Sequence, residues 1–485
     1  MRISGSQSSA VIAGALCFCA FAQAPESPEH PAGIENLVDG ARAVPVEFRA
    51  DVLFRLIDAG KITAPKAQRE ILEGLFAAAS QAQYPMALLY AGTHTDTRSW
   101  AVASGLGLGL DTLSIRSRAV KKMLTLDPAR ARELFLEIAL AMPADPSCEE
   151  DLVPNGSALY DTAREVMDRS FTVEERNRGD AVQFFEPYLR SIPASTTLPA
   201  AAKTIRMMKA SAEQRQKLVN IFASRLNDIA DGDRAFSLTM GRLALGDQII
   251  QLSVGSRKQG VPADTLLAAY RTFLVKHLTG ERCSDAGAKA ANEAVTQFNE
   301  RLRLAGYLAS VDLNAITNGE SKPLKVDGKA KVVEYWRTPQ ARRLLLAIKH
   351  LRFGDSSQPL TVEQKLSVEW QNELRQFLSD LAAWNPRDEA SPAEYFHEGA
   401  ILYAGLIDLM PNGPLRDSVV QGSIAFLSQN PMETDSPAQF LPHLNALLQQ
   451  ARTLASGAAI LDAMRNAKDP VISLYGNLER VAPLP

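Results

Sequence analysis

One adjacent pair of residues, His397 and Glu398, combines two side chains that general acid–base catalysis often uses. An imidazole exchanges protons near neutral pH, and a neighbouring carboxylate can orient it. The same pair begins the His-Glu-x-x-His motif of zinc peptidases, but Ile401 stands where the second histidine is required. We therefore treat His397 and Glu398 as candidate catalytic residues and predict no metal site. His397 lies two positions after the apolar Tyr395, on the other side of a helix. We therefore expect the side chain of His397 to face solvent or a groove.

Motifs for other kinds of catalysis are missing from the chain. It contains no Gly-x-Ser-x-Gly sequence of the kind that serine hydrolases use. The glycine-rich residues 105–109 lack the Gly-Lys-Ser/Thr sequence of a phosphate-binding loop. We therefore predict no cofactor, and the sequence favours a protein that is not an enzyme.

Residues 322–352 concentrate positive charge. The basic residues of this segment are Lys322, Lys325, Lys329, Lys331, Arg337, Arg342, Arg343, Lys349 and Arg352. Only Asp327 and Glu334 oppose them, whereas the whole chain of 485 residues has a net charge of −3. The segment predicts docking of an anionic partner, such as an acidic protein face, a phospholipid headgroup or an acidic glycan. The alternative is an ordinary solvated helix face.

The first residues have the pattern of an export signal. Arg2 precedes an apolar run over residues 10–22, which is too short to span a bilayer as a helix. Ala20-Phe21-Ala22 is a small-x-small sequence of the kind that signal peptidase cleaves, so residues 1–22 are the predicted signal peptide. No later segment is a transmembrane candidate. The mature chain is expected in the periplasm or secreted, and its weakly acidic charge excludes a general nucleic-acid binder.

Cysteine usage agrees with export. Two of the four cysteines lie in the predicted signal peptide, which leaves Cys148 and Cys283, both in polar surroundings. Because exported proteins fold in an oxidising compartment, an even number of cysteines there favours a disulfide. We predict a Cys148–Cys283 bridge, with two separate thiols as the alternative.

Almost every segment of the mature chain has a helical pattern. Thr172, Ser211 and Thr361 each precede a glutamate or glutamine by three residues, which predicts capping boxes. Asp-Pro pairs at 127–128 and 469–470 predict two further helix starts, the first helix running to residue 141. Residues 362–384 are predicted to form one amphipathic helix. Its apolar stripe consists of Leu366, Trp370, Leu374, Phe377, Leu381 and Trp384. From Pro339, the residues Leu344, Leu345, Ile348 and Leu351 form the predicted apolar side. The predicted fold class is all-α, an array of amphipathic helix pairs.

The C-terminal part contains an internal repeat with an offset of 45 residues. Asn385-Pro386 and Asn430-Pro431 each begin a copy, and each copy continues to a Ser-Pro-Ala sequence that starts a helix. The apolar positions Tyr395, Gly399, Leu402, Tyr403 and Leu406 of the first copy match Phe440, Leu444, Leu447, Leu448 and Ala451 of the second. The predicted repeats are residues 385–429 and 430–474.

A polar segment divides the mature chain into two predicted units. Residues 307–331 contain Asn-Gly and Asp-Gly pairs with few apolar residues, which is typical of a linker. A small hairpin near residues 325–333 is the alternative to a plain loop. The predicted organisation is an N-terminal helical array over 23–306 and a C-terminal helical domain over 332–485.

This architecture resembles exported bacterial α-helical-repeat proteins of the HEAT-like or tetratricopeptide-like kind, whose function is unassigned. Leu126-Asp127-Pro128 resembles a junction between tetratricopeptide-type helix pairs, although the aromatic and glycine pattern of those repeats is absent. The resemblance implies an α-solenoid or superhelix. We expect an interaction scaffold or binding module whose partner is a protein or another envelope component. The alternatives are an α-helical envelope enzyme acting on a polysaccharide, and a small-molecule or lipid carrier.

Overall fold

A computed structural model describes residues 33–82, 87–88, 108–139, 152–153, 155–230, 239–279, 296, 298–303, 338–384, 392–429 and 437–483. The α-helices in these ranges are α1 (Ile34–Arg42), α2 (Val46–Asp58), α3 (Pro65–Ala78), α4 (Thr112–Met123), α5 (Pro128–Leu136), α6 (Gly156–Arg169), α7 (Val173–Arg178), α8 (Asp180–Arg190), α9 (Leu198–Met207), α10 (Ala212–Asp228), α11 (Thr239–Lys258), α12 (Asp264–Thr279), α13 (Pro339–Phe353), α14 (Val362–Lys365), α15 (Val368–Ala383), α16 (Pro392–Leu409), α17 (Pro414–Ser428), α18 (Pro437–Thr453), α19 (Gly457–Arg465) and α20 (Pro470–Val481). Two 3₁₀ turns lie at Ala79–Gln81 and Ser195–Thr197. The predicted all-α class is confirmed.

The β structure of the described residues is one short ladder. Strand β1 (Ala87–Leu88) pairs antiparallel with β2 (Leu152–Val153), with Ala87 opposite Val153 and Leu88 opposite Leu152. The predicted hairpin near residues 325–333 and the linker over 307–331 lie outside the described residues. The division into two units therefore stays a prediction.

Side-chain caps start several helices where the sequence predicts them. Thr172, Ser211 and Thr361 each accept a hydrogen bond from the backbone N–H three residues later. The side chain of that later residue accepts the N–H of the capping residue in return, so all three capping boxes are confirmed. Asp469 accepts two backbone N–H groups at the start of α20, where Pro470 occupies the first helical position.

Helix α5 begins where predicted but ends early. Asp127 caps it through the backbone N–H of Arg130, as the sequence predicts. It ends at Leu136 rather than at residue 141, because the carbonyl of Phe135 accepts the N–H of Ile138 and the hydroxyl of Tyr188 instead of continuing the helix.

Residues 362–384 form two helices rather than the single predicted one. Helix α14 ends at Lys365, and Ser367 then caps α15 by accepting the backbone N–H of Trp370 at 3.2 Å. The interruption leaves Leu366 outside the buried stripe with 57% of its surface exposed. The remaining stripe residues are buried: Trp370, Leu374, Phe377, Leu381 and Trp384.

The apolar side of α13 also differs from its prediction. Leu344 and Leu351 are buried and Ile348 packs against the core, but Leu345 is 38% exposed. Successive helical residues are about 100° apart, so Leu345 cannot lie on the same line as Leu344 and Leu351. The expectation for Leu345 was wrong.

The N-terminal helices form two successions of packed neighbours. In one, α3 packs against α4, α4 against α6, α6 against α9 and α9 against α11. In the other, α8 packs against α10 and α10 against α12. Because a helix inside either succession has a neighbour on each of two sides, its apolar residues are buried on both sides.

The two helices of the internal repeat lie side by side. Helices α16 and α18 begin at Pro392 and Pro437, with the predicted offset, and they pack against each other. Helix α17 packs against α16, and α19 packs against α17 and α18. The matched positions are mostly buried, although Tyr395 and Tyr403 are only partly buried.

The two ends of the described chain meet in an apolar contact, which we call the terminal seam: α1 and α2 against α18 and α20. Phe48 of α2 has no exposed surface. Its ring meets the rings of Phe440 and Tyr475 edge-on, with centroids 5.9 and 6.2 Å away. One apolar core therefore includes residues from Ile34 to Ala482.

Charged residues are also buried in the terminal seam. Arg55 donates to the Glu479 carboxylate at 3.1 Å and to the carbonyl of Ala482 at 2.7 Å. Arg452 binds the other oxygen of Glu479. The hydroxyl of Tyr475 donates to Asp51 at 2.8 Å. These bonds offset part of the desolvation of the charged groups and fix how the chain ends align.

Candidate functional site

The candidate catalytic residue His397 lies inside the protein. It is 5% exposed, and its Nδ1 lies 2.8 Å from Nε2 of His443, which is 8% exposed. The two imidazoles come from α16 and α18, so the pair joins the two repeat helices. The expectation that His397 faces solvent or a groove was wrong, because its side of α16 is covered by α18.

The chemistry of this pair is that of a buried, uncharged hydrogen bond. One ring supplies an N–H and the other accepts it, which two neutral imidazoles can do. Burial, and then the repulsion that a protonated His397 would exert, lowers the pKa of His443 to about 3. The ring of Phe396 lies edge-on to His443, with centroids 5.9 Å apart. The structure brings His397 to another histidine within a largely aromatic environment.

The other candidate catalytic residue, Glu398, is 1% exposed. A general base must come within hydrogen-bond reach of the proton that it removes. Two of the cavities among the described residues lie elsewhere. One of about 440 Å³ lies between α1 and α20, beside Asn36, Asn477 and Arg480. One of about 290 Å³ lies between α2 and α3, beside Arg49. Both are lined by residues other than His397 and Glu398.

The predicted basic segment is described in part. Lys322, Lys325, Lys329, Lys331 and Arg337 lie outside the described residues. The other four, Arg342, Arg343, Lys349 and Arg352, are on α13 and are all exposed. Helix α13 contains no acidic residue, so no carboxylate of its own offsets this positive charge.

Ion pairs lie along one flank of α13. Arg343 lies 3.9 Å from Asp380 of α15 and also donates to Gln340. His350 lies 3.6 Å from Glu373 and 3.9 Å from Asp355. These contacts are exposed and contribute little to folding.

Exposed aliphatic side chains accompany this charge. We call the α13–α14 surface the set formed by Arg342, Leu345, Leu346, Lys349, Arg352, Val362, Leu366 and Val368. Leu346 is 65% exposed, and Val362 and Val368 are 61% and 70% exposed. Water-exposed aliphatic groups cost free energy, so their concentration within residues 345–368 indicates an interaction surface.

Two hydrogen bonds hold the parts of this surface together. The backbone N–H of Leu360 donates to the carbonyl of Arg352 at 2.9 Å. The indole N–H of Trp370 donates to the carbonyl of Leu351 at 3.0 Å. Both ends of the segment that contains α14 are therefore fixed at the C-terminal end of α13.

The last residue of α14, Lys365, lies close enough to other basic groups for their charges to affect its pKa. Burial first, and then the positive charges of Arg352 and Arg416, lower the pKa of Lys365. Lys365 thus adds a further cation near the end of α13. An anion bound here would relieve the mutual repulsion of these groups.

The charge of this surface is visible in the sequence, but its aliphatic part is not. The predicted stripe includes Leu366 among buried residues, and it gives no special place to Val362 or Val368. The signal that could have found them is Ser367, which stands three residues before Trp370 and is a favourable cap. The predicted Cys148–Cys283 bridge and the predicted signal peptide lie outside the described residues.

The chain matches no family model, no curated protein and no solved structure. The described residues define an all-α protein. None of their helices combines the length and the apolar composition that crossing a bilayer requires. Within these same residues, no group of three histidine, cysteine, aspartate or glutamate side chains is arranged to hold a metal ion.

Proposed function

We propose that the chain is an exported helical-repeat protein that acts as an interaction scaffold or binding module in the periplasm or cell envelope. The α13–α14 surface carries this proposal. It presents exposed aliphatic and basic side chains together on a helix whose opposite side, including Leu344 and Leu351, is buried in the core. A rigidly held surface of this kind is suited to binding rather than to catalysis.

The arrangement of the helices supports a scaffold role. The pairs α16–α17 and α18–α19 lie next to each other and derive from the two sequence repeats. The successions of packed helices in the N-terminal part are also what an α-solenoid contains. Such arrays bind partners through extended surfaces and need no catalytic motif.

The sequence of residues 1–22 supports export. In an oxidising compartment, Cys148 and Cys283 would form the predicted disulfide. The proposal therefore has an independent check: the intact mass of the exported protein rises by two hydrogens on reduction if the bridge is present. An unchanged mass contradicts the disulfide.

Cross-linking in the native cell envelope tests the proposed function. We expect cross-linked peptides to concentrate on α13, α14 and the start of α15. We also expect the double substitution Arg342→Glu with Arg343→Glu to weaken retention of the cross-linked partner at low salt, because exposed charges steer association.

A matched control reverses two exposed cations elsewhere, Lys61→Glu with Lys209→Glu. This variant has the same change in net charge but leaves the α13–α14 surface intact. If both double variants lose the partner equally, or if cross-links are spread evenly over the molecule, the proposed binding surface is wrong.

A further inference from the structure

We infer that the α13–α14 surface docks on an anionic phospholipid bilayer, an inference that rests on the proposed function and names its partner. The surface joins exposed aliphatic groups with exposed cations. An anionic lipid surface offers the two complementary environments, acyl chains and negatively charged headgroups, in one place.

The exposed aliphatic groups are concentrated rather than scattered. Of the ten large hydrophobic side chains that are exposed in the described part of the chain, five fall within residues 345–368. The five are Leu345, Leu346, Val362, Leu366 and Val368. Single exposed hydrophobic residues are normal, but a concentration of this size from α13 to the start of α15 marks a contact surface.

The pattern along α13 fits a helix that lies in the plane of a membrane interface. Arg342, Leu346, Lys349 and Phe353 follow at spacings of four, three and four, so they form one line on its outer side. Lysine and arginine can extend toward headgroups while the leucine between them enters the apolar layer. The guanidinium of Arg352 lies 5.6 Å from the centre of the Phe353 ring and thereby partly covers it.

Charge complementarity selects an anionic surface. The four cations of α13 have no acidic residue on their own helix. Asp380, Glu373 and Asp355 contact Arg343 and His350 on the flank of α13. Two further exposed carboxylates, Glu363 and Glu369, belong to α14 and α15 and not to α13. Arg342 and Lys349 lie on the same side as Leu346, so the cations and the exposed leucine face one partner together.

The chemistry of the apolar groups favours lipid over a protein partner. Protein interfaces rely on tryptophan and tyrosine anchors, whereas leucine and valine are under-represented among the residues that dominate binding. The exposed groups here are leucine and valine, and Trp370 is 3% exposed with its N–H bonded to Leu351. Aliphatic groups suit an acyl-chain environment that has no defined pockets.

Vesicle sedimentation tests this inference. The full chain, expressed with its native N-terminus and purified as processed, is mixed with vesicles of phosphatidylcholine plus phosphatidylglycerol or of phosphatidylcholine alone. We expect it to sediment with the mixed vesicles and to be released by salt, because salt screens the attraction of exposed charges.

Two variants separate the contributions of charge and aliphatic contact. Arg342→Glu with Lys349→Glu should weaken partition onto the mixed vesicles by at least about twenty-five-fold, since each lost cation costs about a factor of five and the introduced carboxylates add repulsion. Leu346→Gln with Leu366→Gln should weaken it by about tenfold through lost burial of aliphatic groups. Lys61→Glu with Lys209→Glu, and Val173→Gln with Met207→Gln, are the matched controls because these side chains are exposed elsewhere.

The outcomes distinguish the lipid assignment from the proposed function. Equal sedimentation with both kinds of vesicle, or equal losses in the variants and their controls, overturns the lipid assignment. If no vesicle binds but Arg342→Glu with Arg343→Glu still loses its envelope cross-links, the lipid assignment is wrong and the binding module stands with a protein or glycan partner. If vesicle binding and cross-linking are both absent, both proposals fail.

Discussion

The terminal seam and the α13–α14 surface use the same residue types in opposite ways. In the seam, Arg55 and Glu479 are buried and bonded to each other, with Arg452 on the second carboxylate oxygen. On the α13–α14 surface, Arg342 and Lys349 are exposed, and α13 has no acidic residue. The charged side chains of the terminal seam thus join the two ends of the chain inside the protein, whereas the charged side chains of α13 face solvent.

This difference predicts where substitutions act. A buried charge that loses its partner keeps its desolvation cost, so seam variants should affect folding strongly. An exposed charge stays hydrated in the folded and the unfolded chain, so variants of α13 should leave folding almost unchanged. The seam should thus control stability, and the α13–α14 surface should control association.

Removal of the shared seam carboxylate should have the largest effect. Glu479→Ala leaves Arg55 and Arg452 without their common partner and should lower the free energy of unfolding by about 3–5 kcal/mol. Asp39→Ala is the control, because it removes an ion pair to Arg42 whose side chains are 70% and 65% exposed. That change should cost about 0.5 kcal/mol or less. Urea unfolding followed by circular dichroism measures the free energy of unfolding of both variants. An equal loss of stability in the two would contradict the difference between buried and exposed charges.

Overpacking between α16 and α17, within the first repeat, should have the next largest effect. A Cβ on Gly399 would lie closer than 3 Å to the ring of Phe426, so Gly399→Ala should destabilise the protein by about 1–3 kcal/mol. Gly74, inside α3, has open space where an added methyl group would lie. Gly74→Ala should therefore stabilise by about 0.5–1 kcal/mol. Thermal unfolding gives both signs, and a destabilisation in both variants would argue against the packing explanation.

The histidine pair should make stability depend on pH. The pKa of His443 in the folded chain, about 3, lies below the ordinary value of 6.5, so the unfolded chain binds its proton first as pH falls. The contribution of neutral His443 is complete above pH 6.5, and below that value it is lost at up to about 1.4 kcal/mol per pH unit.

His443→Gln removes the titrating group and keeps a hydrogen-bonding side chain. Its unfolding free energy, measured between pH 7 and pH 4, should fall less steeply than that of the unsubstituted chain. His350→Gln changes a histidine whose side chain is 46% exposed and serves as the control. The same slope in all three proteins would refute a role for the buried pair.

Charge reversal on the α13–α14 surface should have the smallest effect on folding. Arg342→Glu with Lys349→Glu should change the free energy of unfolding by about 0.5 kcal/mol or less, because both side chains are exposed. Differential scanning calorimetry checks this value on the same preparations used for vesicle binding. A large destabilisation would show that these residues support the fold, and any loss of association could then not be assigned to the surface alone.

Features that depend on a few neighbouring residues were predictable from sequence. The capping boxes at Thr172, Ser211 and Thr361 need only residues three positions apart. The helix starts at Pro392 and Pro437 follow from the Ser-Pro sequences and their common offset. Such patterns contain both partners of each interaction within one short segment.

Features that depend on which elements meet were not predictable in the same way. Helical spacing placed His397 away from the apolar line of α16, but α16 packs against α13, α17 and α18, so more than one side is covered. Arg55 and Glu479 are 424 positions apart, and no local pattern relates them. The prediction for Leu366 was wrong for a different reason, since a single cap at Ser367 interrupts the expected helix.

The terminal seam also sets an order of events during synthesis. Helix α2 is among the first elements to be made, yet Phe440 and Tyr475, which cover Phe48, arrive only near the end of the chain. Contacts between residues this distant in sequence form slowly. Until they form, Phe48 is an exposed apolar group that can associate with other chains. A nascent or truncated chain that stops before α18 therefore lacks both rings that cover Phe48, and we expect such chains to be targets for chaperones and proteases.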